Sequence, residues 1–292
     1  MGEYGAKQQK VVVFFLSIVI CLGLNVKLSA QQFANSLPAQ AKTYPFFNSD
    51  FIKQKRIMTI QTEVMYKYPM QKISFSAEHM RYNFSRNGDV EQWISVNKSG
   101  NEKRVNYYLS KDGKLVSEHI RTSRRNILKS YVYDPHGNVI EIERIDESQK
   151  EKFDPEKFSY EYYSENQYKK FWLNSEGLTY KYTIVNLEAG TIINETTRYI
   201  RGASKESVFY HYDSGRLISY ARNSKVSTRR EVKFELEYDA SGVLQVMKEY
   251  HDGALIHRFE YLYENGLISV VLRKEIKSHQ IMITKYAYTF YR

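Results

Sequence analysis

Seven histidines, two tryptophans and a single cysteine hold most of the chemistry this 292-residue chain has to offer. No two of His79, His119, His136, His211, His251, His257 and His279 stand four residues apart, the spacing that presents two imidazoles of a helix to one zinc ion. Glu78-His79, Glu118-His119 and His251-Asp252 are adjacent pairs. On a strand, adjacent side chains point to opposite faces, so adjacency does not make a dyad there. The chain has no Gly-x-Ser-x-Gly elbow, phosphate loop or dinucleotide fingerprint. The acidic stretch Glu141 to Glu147 lacks the glycine and ligand spacing of a calcium loop and reads as a strand end with a solvated loop. Arg121-Thr-Ser-Arg124-Arg125 and Arg229-Arg230 are the densest basic clusters. Trp93 and Trp172 remain as candidate stacking platforms for a sugar or another flat partner, with core packing as the competing role. No catalytic residue, cofactor site or metal site is expected, and the chain reads as a non-enzyme.

The N-terminus bears on where these groups work. Lys7 and Lys10 precede an apolar run from Val11 to Leu24, followed by Leu28-Ser29-Ala30. A run of that length is short for a membrane span and matches the core of a secretory signal, with cleavage expected after Ala30. The lone Cys21 lies inside that run, so a cleaved chain has no cysteine, forms no disulfide and carries a formal charge of +8 in place of +10. Export to the periplasm or outer surface of a bacterial envelope makes nucleic acid an unexpected partner for the basic clusters. Residues 31–52, with Pro38 and Pro45, read as a linker ending in a short helix from Ser49, which would cap it, to about Lys55.

The body, residues 53–292, is built on a repeat. Aromatic residues at alternate positions lead into a polar turn and then an aliphatic residue, as in Tyr131-Val-Tyr133-Asp-Pro-His-Gly137-Asn-Val139. The turn positions are Gly88, Gly113, Gly137, Asn166, Gly190, Gly215, Gly242 and Gly266, at intervals of 24 to 29 residues. A second set of turns falls midway, so each unit is one β-hairpin. Glycine suits these turns because it takes positive φ without a steric penalty. Between turns the chain alternates with period two: Phe234, Leu236 and Tyr238 share one face, and Lys233, Glu235 and Glu237 the other. The fold expected is all-β, a long antiparallel meander of about eight hairpins and about 16 strands. Twist of 20–25° per strand pair forces so long a sheet to coil or close.

The turn sequences resemble the tyrosine–aspartate (YD) repeat of the rearrangement-hotspot and teneurin-type shell proteins. Tyr238-Asp239-Ala-Ser-Gly242-Val-Leu244 matches its core in full, and Tyr133 to Val139 and Tyr212 to Leu217 match with small changes. Repeats of the membrane-occupation (MORN) type are a second resemblance, through Tyr263-Glu-Asn-Gly266. The resemblance implies an exported, ribbon-like β architecture without encapsulation, since eight copies are too few for a shell.

Two functions are compatible with this reading. One is an envelope scaffold that recruits a protein partner along the unpaired edges of its terminal strands. The other is a module that binds an envelope polysaccharide or lipid on a concave face rich in Tyr and Trp. A filled core favours the first and an open groove the second.

Overall fold

The computed structural model describes residues 47–97, 101–111, 114–202, 205–225 and 231–292. The signal expected over residues 1–30, most of the linker, the turn at Gly113 and the Arg229-Arg230 pair lie outside them. Among the described residues one short helix, α1 (Ser49–Gln54), precedes 18 strands. These are β1 (Ile57–Lys67), β2 (Ser74–Phe84), β3 (Val90–Asn97), β4 (Glu102–Lys111), β5 (Lys114–Thr122) and β6 (Asn126–Tyr133). Next come β7 (Val139–Asp146), β8 (Glu151–Ser164), β9 (Gln167–Leu173), β10 (Thr179–Glu188), β11 (Thr191–Tyr199) and β12 (Lys205–Asp213). The last are β13 (Arg216–Ser224), β14 (Glu231–Tyr238), β15 (Leu244–His251), β16 (Ala254–Glu264), β17 (Leu267–Glu275) and β18 (Ile281–Phe290).

Each strand pairs antiparallel with the next, and β18 pairs with β1 from Ile57↔Phe290 to Lys67↔Ile281. The meander is therefore a closed barrel. This corrects the expectation of about 16 strands in a curled sheet, and it overturns the resemblance to YD-repeat and MORN ribbons. The unpaired N–H and C=O groups of the two terminal strands satisfy each other, which an open ribbon cannot arrange. The two additional strands come from the turns at 68–73 and 147–150, neither of which has a glycine to announce it.

Residues opposite one another in a ladder share a face, so the registers follow one face round the barrel. That face carries Tyr82, Tyr261 and Tyr286, which burial pushes above the ordinary phenol range. It is the inner face. The outer face of β14 to β16 carries Lys233, Glu235, Glu237, Lys248, Arg258 and Glu260 along the full strand length. Cross-strand and same-strand ion pairs form there, Lys233 to Glu235 at 2.7 Å and Arg258 to Glu260 at 2.8 Å among them. A lipid-facing band needs apolar side chains in those places, so this wall faces water.

The two ends of the barrel differ. At the mouth where the chain enters, α1 folds over the opening. Asn48 caps it, its Oδ1 accepting from the Phe51 N–H at 3.1 Å, so the cap lies one residue before the expected Ser49. Phe51 and Ile52 are fully buried against Ile57, Ile60, Phe84, Val90 and Tyr108. Phe47 adds edge-to-face contacts with Tyr82 and Phe84, each with centroids 5.0 Å apart. This end is the plugged mouth, and the opposite end, where β1 turns into β2, is the far mouth.

The repeat has a mechanical meaning at the plugged mouth. Each hairpin there is bulged next to its turn, as at Val132/Tyr133, His211/Tyr212, Glu237/Tyr238 and Leu262/Tyr263. A bulge breaks the ladder and turns the strand. The residue facing the bulge then offers its carbonyl to a tyrosine of the following hairpin. Tyr133 donates to the Leu115 carbonyl at 2.7 Å and Tyr160 to that of Val139 at 2.9 Å. Tyr238 donates to Leu217 and Tyr263 to Leu244, each at 2.7 Å, and Tyr288 to Ile268 at 2.6 Å. Tyr291 closes the series on the Phe84 carbonyl. The motif's aspartate serves the turn itself: Asp239 Oδ1 accepts from the backbone N–H groups of Ser241 and Val243, both at 2.9 Å.

Two predictions test this account by urea unfolding. Tyr238→Phe keeps the ring and deletes one latch, so it lowers stability by about 1 kcal/mol. Tyr163→Phe, which touches only Glu161 on the outer face, leaves stability within about 0.5 kcal/mol. At Gly88 (φ +88) an added Cβ would stand 2.0 Å from the Ser49 carbonyl oxygen, whereas at Gly190 (φ +76) it meets nothing within 4 Å. Gly190→Ala therefore costs about 1 kcal/mol, for backbone strain alone. Gly88→Ala costs at least about 2 kcal/mol, because α1 must also leave the mouth.

Candidate functional site

Barrels of 16–18 strands can leave room inside, and the inner wall of this one runs from fully buried side chains such as Asn106, Glu118 and Thr183 to half-buried ones such as Lys170 and Trp172. The inner wall is accordingly the surface on which a ligand can be held. Three groups of side chains stand out on it.

The first spans β8 to β12. Phe158, Tyr160 and Tyr162 face Trp172, Lys170 and Tyr168 across the β8–β9 ladder, and Lys181 of β10 faces Trp172 from the other side. The Trp172 ring meets Phe158 edge-on at 5.9 Å between centroids. Lys170 Nζ lies 4.9 Å from the Trp172 ring centre and 4.1 Å from that of Phe158. Lys181 Nζ lies 4.4 Å from the same Trp172 ring. Tyr160, Tyr162 and Tyr168 pack at 5.8–6.4 Å beside them. Burial pulls the Lys170 ammonium down from 10.5 to about 8, and neighbouring Lys181 adds to the shift, against the opposing charges of Glu195 and Glu156. Glu195 accepts from the Tyr210 hydroxyl at 3.0 Å. Burial, then the Glu195 charge, holds that phenol far above its ordinary value.

The second group lies on β4 to β6. Glu118 is fully buried, accepting from Asn106 Nδ2 at 2.6 Å, Lys129 Nζ at 2.8 Å and the Tyr131 hydroxyl at 3.4 Å. Arg104 Nε in turn donates to Asn106 Oδ1 at 2.8 Å. This network is saturated and serves the wall. The third group lies on β15 to β17, where Glu249 contacts His251 Nε2 at 2.7 Å and His257 Nδ1 at 2.8 Å. Arg273 stands 2.8 Å from His257 Nε2. Burial acts to raise the Glu249 carboxyl, but the two imidazoles outweigh it and hold it below its ordinary value.

The two tryptophans divide in role. Trp172 belongs to the cation-flanked cluster on the inner wall of β8 to β10. Trp93 packs into the plug cluster with its Nε1 buried, under Arg104 at 5.2 Å from the ring centre. Of the repeat glycines, Gly88, Gly137, Gly190, Gly215, Gly242 and Gly266 all take positive φ at turns and line no site. Glu118 and His119 point to opposite faces, as strand alternation requires. Sequence reasoning missed Lys170 and Lys181, and also the Glu249 cluster. Lys170-x-Trp172 and Glu249-x-His251 were available as same-face pairs, whereas Lys181, His257 and Arg273 join them only through register.

No protein-family model and no curated protein matches the chain. Among solved structures it is similar to a porin-like protein from Bacteroides uniformis, with a TM-score of 0.42 and 9% identity over 80% of this chain and 97% of that one. A porin-like protein from Bacteroides vulgatus gives 0.36 and 9%, over 80% and 98%. A putative outer membrane lipoprotein-sorting protein domain from Vibrio parahaemolyticus gives 0.26 and 9%, over 82% and 91%. Likenesses at this level carry no argument about what this chain does.

The lysine at the centre of the first group makes a pH prediction. Its folded value of about 8 lies below the 10.5 of a free lysine, so between these pH values the unfolded chain binds more protons. Its contribution to stability therefore rises with pH across that window and is least favourable below it. Lys170→Met should be more stable than the parent at pH 7 and lose that advantage by about pH 10.5, as read from paired urea midpoints.

Proposed function

We propose that this chain is a non-enzymatic binding barrel of the cell envelope that holds a saccharide on its inner wall. The observation that carries the reading is the Trp172 cluster: a flat indole beside two ammonium groups, bordered by Phe158 and three tyrosines, on the inner wall of an 18-strand barrel. Sugar rings present apolar C–H faces to aromatic rings and hydroxyls to the polar groups around them. Lys170, Lys181, Glu195 and the phenols supply donors and acceptors at the rim of such a platform. The export pattern of residues 7–30 supports the envelope setting. A scaffold that recruits partners by strand addition lacks support, because β1 and β18 use their edges on each other.

Calorimetric titration of the protein with a panel of envelope polysaccharides and their oligosaccharides tests the reading. At least one should bind, and Trp172→Ala should weaken it about tenfold, equivalent to about 1.4 kcal/mol. Trp93→Phe should leave affinity unchanged, since that ring sits in the plug cluster. Absence of binding across the panel would sink the proposal.

A further inference from the structure

The loops at the two mouths differ in charge. Those at the far mouth carry Lys72, Arg124, Arg125, Lys150, Arg201, Lys225 and Lys277 against Glu147, Glu176 and Asp252. The described turns at the plugged mouth carry Asp89, Asp134, Glu165 and Asp239 against Arg86. With Asp50, Lys53, Lys55 and Arg56 of α1 and its exit included, the plugged mouth is close to neutral, and the described loops of the far mouth are the more basic end.

The same end presents apolar tips to solvent. In the β1–β2 loop Met70 is fully exposed and Ile73 more than half exposed. In the β9–β10 and β11–β12 loops, Leu178 and Ile200 are each more than half exposed. Isolated exposed apolar residues are ordinary, but large aliphatic side chains at loop tips among lysines and arginines are what an anionic interface receives. Their placement adds the geometry. In the order of an 18-strand ring, the β1–β2 loop and the paired loops of β9–β12 lie on opposite sides of the far mouth. A flat surface meets both at once.

We infer that the far mouth docks on an anionic lipid bilayer, with Met70 and Ile73 on one side and Leu178 and Ile200 on the other entering the headgroup layer while the basic loops meet the lipid charge. The barrel then stands with its plugged mouth away from the membrane and its open mouth against it. This inference does not depend on the saccharide reading of the inner wall.

The test uses the full chain with Cys21→Ser, so that one introduced cysteine carries an environment-sensitive fluorophore. Met70→Cys and Ile200→Cys place it at the two tips of the far mouth. Leu109→Cys places it on the outer face near the plugged mouth, at a position that is also exposed. Phosphatidylcholine vesicles and vesicles that also contain phosphatidylglycerol are added to each. The local readout separates docking of the mouth from tethering by the apolar N-terminal run. With phosphatidylglycerol, emission should rise at least about threefold at positions 70 and 200 and stay flat at 109. The rise should fall in high salt and with Lys72→Glu plus Lys225→Glu. No rise at 70 and 200, or an equal rise at 109, would overturn the inference. So would a rise of equal size on phosphatidylcholine alone.

Discussion

The pairing of β18 with β1 is the constraint on which the other features rest. Before that ladder forms, the chain has two strand edges and no inside. Once Ile57 to Lys67 lies against Ile281 to Phe290, every strand has two neighbours and the two faces become unequal. Tyr82, Tyr261 and Tyr286 become interior side chains through that event, and Lys233, Glu235 and Glu237 become the wet exterior. Closure also joins the first and last repeats, so α1 packs across the seam against β1, β2 and β3 while Tyr288 of β18 packs on the same cluster.

The tyrosine latches hold that closure in shape. A bulge at each described turn of the plugged mouth interrupts the ladder; the carbonyls of Leu115, Val139, Leu217, Leu244 and Ile268 belong to residues facing a bulge, while Phe84 lies on a bulged strand itself. A phenol from the next hairpin supplies the bond. The latches therefore run in the direction of the circumference, from β5 to β8 and from β13 to the seam, tying hairpin to hairpin where backbone pairing is weakest. Each is a modest hydrogen bond, and their effect comes from repetition round one rim.

The interior assembled in this way is polar as well as aromatic. Lys129 with Glu118, and Glu249 with two imidazoles, are charges kept inside by immediate partners, because an unpaired charge there would be costly. Around Trp172 the balance differs: Lys170 is held against aromatic rings, and burial lowers its ammonium to about 8.

Much of this was legible in the residues. Gly137, Gly215, Gly242 and Gly266 marked turns because glycine takes positive φ without a steric penalty, and the alternation of Phe234, Leu236 and Tyr238 marked an inner face because a strand has period two. The aromatic positions of the repeat were visible too, though not their latching role, which needs the neighbouring hairpin in place. The cluster at Trp172 was half legible. Lys170 lies two residues away on the same face, but Lys181 and Phe158 arrive from other strands, and sequence spacing does not state register. The cap at Asn48 and the turns at 68–73 and 147–150 were missed because none carries the repeat's signature. What the sequence determined by itself was therefore local: strand, turn and the two faces, all set by backbone sterics and side-chain alternation within a few residues. Closure, the plugged mouth and the lysine-flanked indole were decided by the tertiary structure. An open sheet and a closed one share the same alternation, and they differ only in whether twist summed over 18 strands brings the last edge to the first.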